Sequence, residues 1–294
     1  MNIYQKKIPP IDKQFVEIKM LRHMQKSSFF LCRHKITQEL VIIEKFHYDT
    51  PDPSELISFL SKQTLNRKVL SATSTFLHTY DSVKRPKYTW YICENFEGFP
   101  PFERIHNNPL PVNQAKYLFF LLTETLLILH NHLLCMCDWD PNNFLMTDTM
   151  IKCVNYSALR SCTAESVENQ LLYITDPRWM SPESILQKSY DLVQADLWGL
   201  GLYLHFFLTG KMLFENSSTM YKDLKHFKYE PPTGIDPAAA NILSNLLILD
   251  PKKRIKLREI LSHSFLIPTV PFPISRVPLE GTPEIIEWMD FFGY

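Results

Sequence analysis

Glycine is scarce in this sequence. The 294 residues include seven glycines, about a third of the share of about 7% that is usual in proteins. None of them lies between Phe15 and Phe96. Loops that bind phosphate through backbone N–H groups depend on glycine, because a side chain would occupy the space of the anion. The N-terminal third therefore has no glycine-rich phosphate-binding loop.

The sequence also lacks an excess of charge of either sign, with 31 Lys and Arg residues and 31 Asp and Glu residues. No general attraction to nucleic acid or to an anionic membrane surface is expected. The start, MNIYQKKIPP, contains no apolar core of a signal peptide, and the apolar run Leu118–Leu134 is interrupted by Thr123, Glu124 and Thr125. The sequence thus predicts neither a signal peptide nor a membrane span.

Six cysteines are present, but their spacing is not that of a metal or redox site. Cys135 and Cys137 are separated by one residue, whereas zinc and redox sites commonly use C-x-x-C. We therefore expect reduced thiols, no metal site and a cytoplasmic protein.

The N-terminal third predicts a β-rich unit. Its apolar residues occur in short runs separated by polar turns, a pattern typical of antiparallel strands. The runs are Phe15–Leu21, Ser28–Cys32, Leu40–Phe46, Val69–Tyr80 and Tyr88–Cys93. Between the third and fourth runs, Ser54 begins a short amphipathic segment with Glu55 in its first turn, which predicts a helix.

The segment Cys137–Leu145 reads C-D-W-D-P-N-N-F-L and follows a long apolar helical run. It resembles the catalytic loop of protein kinases, H-R-D-L-K-P-E-N. In this resemblance Asp138 falls on the catalytic Asp and Asn143 on the metal-binding Asn. Cys137 replaces the family's Arg, and Asp140 replaces its phosphate-facing Lys.

Three further segments are similar to scaffold motifs of the same family. Asp176–Glu183 ends W-M-S-P-E, the stretch from Ala195 contains D-L-W-G-L-G, and D-P-K-K-R ends at Arg254. The resemblance implies that Asp196 accepts backbone hydrogen bonds from the catalytic loop. It also implies that Arg254 forms a buried ion pair with Glu183.

The resemblance implies an α+β, bilobal protein-kinase-like fold. A leader, residues 1–14, would precede a kinase-like domain over residues 15–266. Its β-rich N-lobe would cover residues 15–96 and its helical C-lobe residues 97–266. A Pro-rich, aromatic tail would follow over residues 267–294.

The resemblance assigns nucleotide-binding positions in the small lobe. Lys45 takes the place of the Lys in V-A-I-K, Glu55 is the candidate for its ion-pair partner, and Cys93 is the gatekeeper before the segment that joins the lobes. The alternative for Lys45, which the surrounding motif makes the weaker one, is an ordinary exposed Lys on a strand, and Glu55 could equally complement a helix dipole. The three glycines of the family's loop are replaced, at Arg22, Met24 and Ser27.

Asn155 stands where the family has the Asp of D-F-G, which holds Mg²⁺. An amide oxygen carries no charge, and Mg²⁺ prefers anionic oxygen. At Asp140, two unit charges about 4 Å apart interact by roughly 4 kcal/mol at an effective dielectric of 20, so changing Lys to Asp turns attraction into repulsion. ATP remains a candidate cofactor because Lys45 and the hinge after Cys93 remain, whereas Mg²⁺ binding is expected to be weak or absent.

Three functions are compatible with these residues. The first is a pseudokinase that acts as a scaffold or allosteric regulator of a partner kinase or signalling complex. The second is a divergent Ser/Thr kinase that uses Lys45, Asp138 and Asn143. The third is a nucleotide-binding switch without turnover.

The tail carries an aromatic and acidic cluster, E-I-I-E-W-M-D-F-F-G-Y. Its aromatic residues either pack onto the domain or dock a partner protein, since Trp and Tyr are enriched at interface hot spots. They are Trp288, Phe291, Phe292 and Tyr294. The segment faintly resembles the terminus of the STE20-related adaptor pseudokinases, which implies docking to a scaffold protein.

Overall fold

The structure is a computed structural model that describes residues 11–24, 27–47, 66–67, 70, 73–85, 87–162, 176–186, 190–224 and 227–267. The chain divides into two compact units, Met1–Glu97 and Gly98–Tyr294. The first is built on a sheet and the second mainly on helices, as expected for the predicted α+β, two-lobed fold. Glu55 and the four aromatic residues of the tail lie outside the described residues.

The first unit contains a five-stranded antiparallel sheet, preceded by helix α1 (Ile11–Gln14). Its strands are β1 (Phe15–His23), β2 (Ser27–His34), β3 (Leu40–His47), β4 (Thr79–Lys84) and β5 (Tyr88–Glu94). They are arranged in the order β1-β2-β3-β5-β4. On one face of the sheet, buried side chains from all five strands form a core that includes Phe15, Cys32, Ile43, Val83 and Ile92.

The predicted strand Val69–Tyr80 is wrong over most of its described length. Leu70 has helical backbone, a bend follows at Thr73, and β4 begins only at Thr79. Leu70 and Phe76 are fully buried. A short apolar run of this kind indicates that the segment is buried. The spacing of its apolar residues does not distinguish a helix from a strand.

The second unit is mainly helical over its described residues. Its helices are α2 (Pro101–Ile105), α3 (Val112–Asn131), α4 (Pro182–Leu186), α5 (Leu192–Thr209), α6 (Ser217–Leu224), α7 (Pro237–Leu246) and α8 (Leu257–Leu261). Two short antiparallel pairs complete it, β6 (Leu134–Cys135) with β9 (Arg160–Ser161) and β7 (Phe144–Met146) with β8 (Ile151–Cys153).

Helix α5 forms the centre of this unit. The Asp191 carboxylate caps its first turn, and Gly210, at φ 67°, ends it in the left-handed region that suits glycine. Helix α3 packs against α5. By length and composition α3 could cross a membrane, but half of its most apolar stretch is buried inside the protein. Its Thr123 and Thr125 hydroxyls donate to backbone oxygens of the helix itself, at 2.8 and 2.7 Å.

Glycine is required where α5 meets the loop after β6. A Cβ atom added to Gly199 would clash with the ring of Trp139. That ring is fully buried and also packs against Phe144 and Tyr203. This close approach seats the Cys137–Leu145 segment directly on α5.

Candidate functional site

Asp196 of α5 organises the loop that contains Asp138. Its fully buried carboxylate accepts hydrogen bonds from the backbone N–H groups of Met136 and Cys137, at 2.8 and 2.9 Å. It also bonds to Trp139 Nε1 at 3.1 Å and His130 Nε2 at 3.0 Å. Cys137 has a φ of 58°, a conformation that costs a non-glycine residue energy and that the two backbone bonds stabilise. Asp196 thus accepts backbone hydrogen bonds from the loop that contains Asp138, as the resemblance implied.

His130, Cys135 and Asp196 place their ligand-type atoms within 4.8 Å of one another. Both oxygens of the Asp196 carboxylate already accept hydrogen bonds. Buried carboxylates are normally satisfied in this way. Hydrogen bonds therefore account for the positions of His130 and Asp196.

Asp138 is buried within the loop, with an exposed fraction of 4%. Its Oδ1 accepts the backbone N–H of Asp140 at 3.2 Å, and its carbonyl oxygen accepts a bond from Asn143 Nδ2 at 3.0 Å. Asx residues commonly stabilise tight loops through such local bonds. These contacts give Asp138 a structural role that does not depend on catalysis.

Asp140 places a second carboxylate in the same loop. It is also 4% exposed, and its Oδ1 accepts the N–H of Asn142 at 2.8 Å, which caps the 3₁₀ turn Pro141–Asn143. Within three residues the loop therefore carries two buried acidic side chains, Asp138 and Asp140. Where the family has a phosphate-facing cation, this chain has a helix-capping anion.

Asn143 and Asn155 occupy the two metal-binding positions of the resemblance, and they bind each other. Asn155 Nδ2 donates to Asn143 Oδ1 at 2.9 Å, while Asn143 Nδ2 donates to the Asp138 carbonyl. Asn143 is fully buried, and its backbone carbonyl accepts the N–H of Val154 at 2.8 Å. Mg²⁺ needs several hard oxygen ligands, commonly including carboxylates. Here the Asn143 side-chain oxygen is engaged by an N–H donor, so this pair does not fit a magnesium site.

Glu183 and Arg254 form a bidentate ion pair in the interior of the second unit. The two N···O distances are 2.6 and 2.7 Å, and both side chains are almost fully buried. The guanidinium also donates to the carbonyl oxygens of Gln194, at 2.7 Å, and Ile248, at 2.9 Å. The structure brings these two residues together as the sequence implied.

In the first unit the buried ion pair of β3 is made by Glu44. Its carboxylate binds Arg67, which lies in helical backbone between β3 and β4. The two residues are 1% and 3% exposed. Glu44 Oε1 also accepts a bond from the Ser27 hydroxyl at 2.5 Å, and the Arg67 guanidinium lies 3.7 Å from the centre of the Tyr91 ring.

Lys45 lies next to Glu44 and, because strand side chains alternate, projects to the opposite side of β3. Its Nζ lies 4.6 Å above the centre of the Tyr88 ring and 5.3 Å from that of Trp90. Nucleotide binding by Lys45 stays a prediction, as does its pairing with Glu55. Among the described residues, the ion pair of β3 is formed by the neighbouring Glu44 with Arg67.

Cys93, the predicted gatekeeper, is fully buried in β5. Burial raises the pKa of its thiol to about 12, although Arg67 opposes this shift. Its Sγ lies 3.7 Å from the Thr79 hydroxyl, and Thr79 also accepts a bond from Arg67 at 3.3 Å. Cys93 therefore stays a neutral thiol beside the Glu44–Arg67 pair.

Sequence reasoning missed Glu44, Arg67 and the contact made by Ser27. A signal was present in the segment V-I-I-E-K, which can be aligned with the family motif V-A-I-K in two ways. If I-I-E-K is aligned, Lys45 takes the Lys position. If V-I-I-E is aligned, which matches the apolar residues equally well, Glu44 takes that position. Lys45 was assigned to the Lys position only because it carries the same charge as the family's residue. No sequence period identified Arg67, because its partner is distant in the chain.

The comparisons with known proteins agree with this architecture. A family model described as protein kinase domain matches residues 18–266. Sperm motility kinase 2B of Mus musculus is 24% identical over 289 residues, which cover 96% of this chain and 58% of that protein. Maternal embryonic leucine zipper kinase of Xenopus tropicalis is 26% identical over 212 residues, which cover 70% of this chain and 32% of that protein.

A plant relative gives the same result. CBL-interacting serine/threonine-protein kinase 20 of Arabidopsis thaliana is 28% identical over 197 residues, which cover 65% of this chain and 44% of that protein. The matched region thus spans between about a third and three fifths of the relatives' own lengths. Because the family model matches most of the sequence, the chain belongs to the protein kinase family.

Proposed function

We propose that this chain is a pseudokinase, a protein-kinase fold that acts as a scaffold or allosteric regulator rather than as an ordinary phosphotransferase. The observation that carries the proposal is the hydrogen bond between Asn155 and Asn143. The protein kinase family uses ATP and Mg²⁺, and the two side chains expected to hold the metal are instead bonded to each other.

The loop chemistry supports the same function. Phosphoryl transfer places negative charge on the transferred group, which cationic side chains and Mg²⁺ stabilise. Asp140 brings a buried anion to the position of the family's cation. A reversal of roughly 4 kcal/mol in attraction corresponds to several orders of magnitude in rate.

The test is phosphate transfer from labelled ATP by the full chain, with Mg²⁺, with Mn²⁺ and without metal. We expect no transfer above that of Asp138→Ala under any condition. The matched gain-of-function variant is Asp140→Lys with Asn155→Asp, which restores both family residues. Metal-dependent transfer by the unmodified chain, lost in Asp138→Ala, would overturn the proposal.

The second candidate is a divergent Ser/Thr kinase. It is favoured by the retained Asp138 and Asn143 and by the serine/threonine kinase named among the relatives. A kinase should depend on metal in the same assay, whereas a scaffold should not. A nucleotide-binding switch would bind ATP without transferring its phosphate.

The proposed partner is another protein, a kinase or a signalling scaffold in the cytoplasm. Balanced charge supports a protein rather than nucleic acid or a membrane. The proposed docking segment is the aromatic end of the tail, from Trp288 to Tyr294. Truncation before Glu284 should abolish complex formation with the cognate kinase while leaving the unfolding midpoint of the domain unchanged.

A further inference from the structure

We infer that Glu44 and Arg67 replace the family's Lys–Glu ion pair with the charges exchanged, and that Glu44 is the specificity-determining residue that makes this unit reject a nucleoside triphosphate. In kinases the β3 Lys pairs with a helix Glu and binds the nucleotide phosphates. Here β3 supplies the anion and the helical residue the cation. The inference deepens the proposed pseudokinase function and rests on it.

Both members of the pair have hydrogen-bond partners within the protein. The Glu44 carboxylate accepts bonds from both Arg67 and the Ser27 hydroxyl. The Arg67 guanidinium contacts Thr79 of β4 at 3.3 Å and stacks on Tyr91 of β5. A buried charge is costly unless it is paired and hydrogen-bonded. These contacts meet that requirement within the protein, so Arg67 is held against the sheet without any ligand.

The exchange changes which ligand the position can bind. A Lys at the β3 position attracts the phosphates of ATP, whereas the buried carboxylate of Glu44 repels them. Ser27, at the last glycine position of the family's loop, is tied to the same carboxylate. The end of that loop is therefore bonded to β3 through a side chain, in place of a backbone surface open to an anion.

Lys45 does not restore the missing cation in this geometry. Its ammonium group lies over the Tyr88 and Trp90 rings. Since adjacent strand residues face opposite sides, Lys45 cannot take the position of Glu44 without a shift of the strand register. The β3 register is fixed on both sides, by Phe29 of β2 and Tyr91 of β5 opposite Glu44.

The experiment restores the family's charges in the full chain with Glu44→Lys and Arg67→Glu together. Dissociation constants are measured for ATP and for adenosine, both without metal. We expect the unmodified chain to bind ATP no more tightly than adenosine. The double variant should bind ATP at least about tenfold more tightly, because attraction replaces repulsion, with no change for adenosine, which carries no phosphate.

The single variants serve as controls for effects on folding. Glu44→Lys alone leaves two buried cations and should lower the unfolding midpoint by on the order of 10 °C, and the double variant should recover most of that loss. Glu44→Gln is the conservative alternative, since its amide oxygen can accept the bond from Arg67 while its NH₂ group donates to the Ser27 hydroxyl oxygen. It should strengthen ATP binding several-fold relative to adenosine.

The inference is overturned if the unmodified chain prefers ATP to adenosine, or if neither the double variant nor Glu44→Gln gains that preference. These outcomes are distinct from failure of the proposed function. A chain that binds ATP but transfers no phosphate contradicts only the inference. A chain that transfers phosphate contradicts the pseudokinase proposal itself.

Discussion

The two units differ in what has happened to their buried ion pairs. In the helical unit, Glu183 and Arg254 keep the polarity that the family motifs imply, and they bond as expected. In the sheet unit, Glu44 and Arg67 form an equally buried pair of the opposite polarity to the family's Lys–Glu pair. Arg254 of the first pair also bonds to the carbonyl oxygens of Gln194 and Ile248, whereas the family's Lys–Glu pair is located beside the nucleotide phosphates. Under the proposed function no phosphate selects the polarity of the Glu44–Arg67 pair, whereas backbone carbonyl groups still require a cation at Arg254.

The largest expected effect is on the retained pair. Arg254→Leu leaves the Glu183 carboxylate buried without its partner, which should cost about 3–5 kcal/mol of unfolding free energy. Urea unfolding of the full chain measures this loss. Lys253→Ala is the matched control, because Lys253 is 74% exposed and its ion pair with Asp250 is 3.6 Å long. Equal losses for the two variants would break the distinction between a buried anchor and a surface pair.

A second prediction tests whether the Asp138 loop is held by packing in the helical unit. Gly199→Ala drives a Cβ into the buried Trp139 ring, and overpacking of this kind costs about 1–3 kcal/mol. Alanine is otherwise about 1 kcal/mol better than glycine in a helix interior. A thermal melt that shows stabilisation would therefore mean that the loop can move off α5 at no cost.

The pH dependence of the helical unit provides a third test. Burial lowers the pKa of His205 from 6.5 to about 4, and its Nδ1 lies 3.0 Å from the Tyr229 hydroxyl. The unfolded chain binds the proton first as pH falls, so this contribution is complete above pH 6.5 and is lost progressively down to pH 4. At about pH 5 the loss should be about 2 kcal/mol relative to neutral pH.

The measurement is the unfolding free energy of the chain and of His205→Gln at about pH 7 and about pH 5. Glutamine retains a hydrogen-bonding group near Tyr229 but does not titrate, so the variant should show a smaller decrease. His263 also has a lowered pKa through partial burial, and it is present in both proteins, so its effect cancels. An identical decrease in the two proteins would remove His205 as the cause.

The sequence predicted these two units with unequal success, for a physical reason. The motifs around Asp196 and Arg254 specify interactions within one unit, and the structure shows those residues bonded as the motifs imply. Glu44 was overlooked because the family pattern directs attention to a Lys, and Lys45 is the adjacent residue. Arg67 pairs across 23 positions of sequence. No local period reports such a contact, and its polarity follows only from the three-dimensional arrangement.

The smallest expected effect is that of replacing Lys45, and this variant tests directly whether Lys45 or Glu44 occupies the phosphate-binding position of β3. Lys45→Met keeps the apolar stem that covers Tyr88 and Trp90 but removes the cation–π contact, so the loss should be about 0.5–1 kcal/mol, as for partly exposed contacts of this type. ATP affinity should not change, because the residue at the phosphate-binding position is Glu44. The two readouts are the unfolding midpoint and the dissociation constant of ATP. A fall of about tenfold in ATP affinity with an unchanged midpoint would make Lys45 the nucleotide-binding cation, and the reversed pair would then be a structural neighbour of a working site.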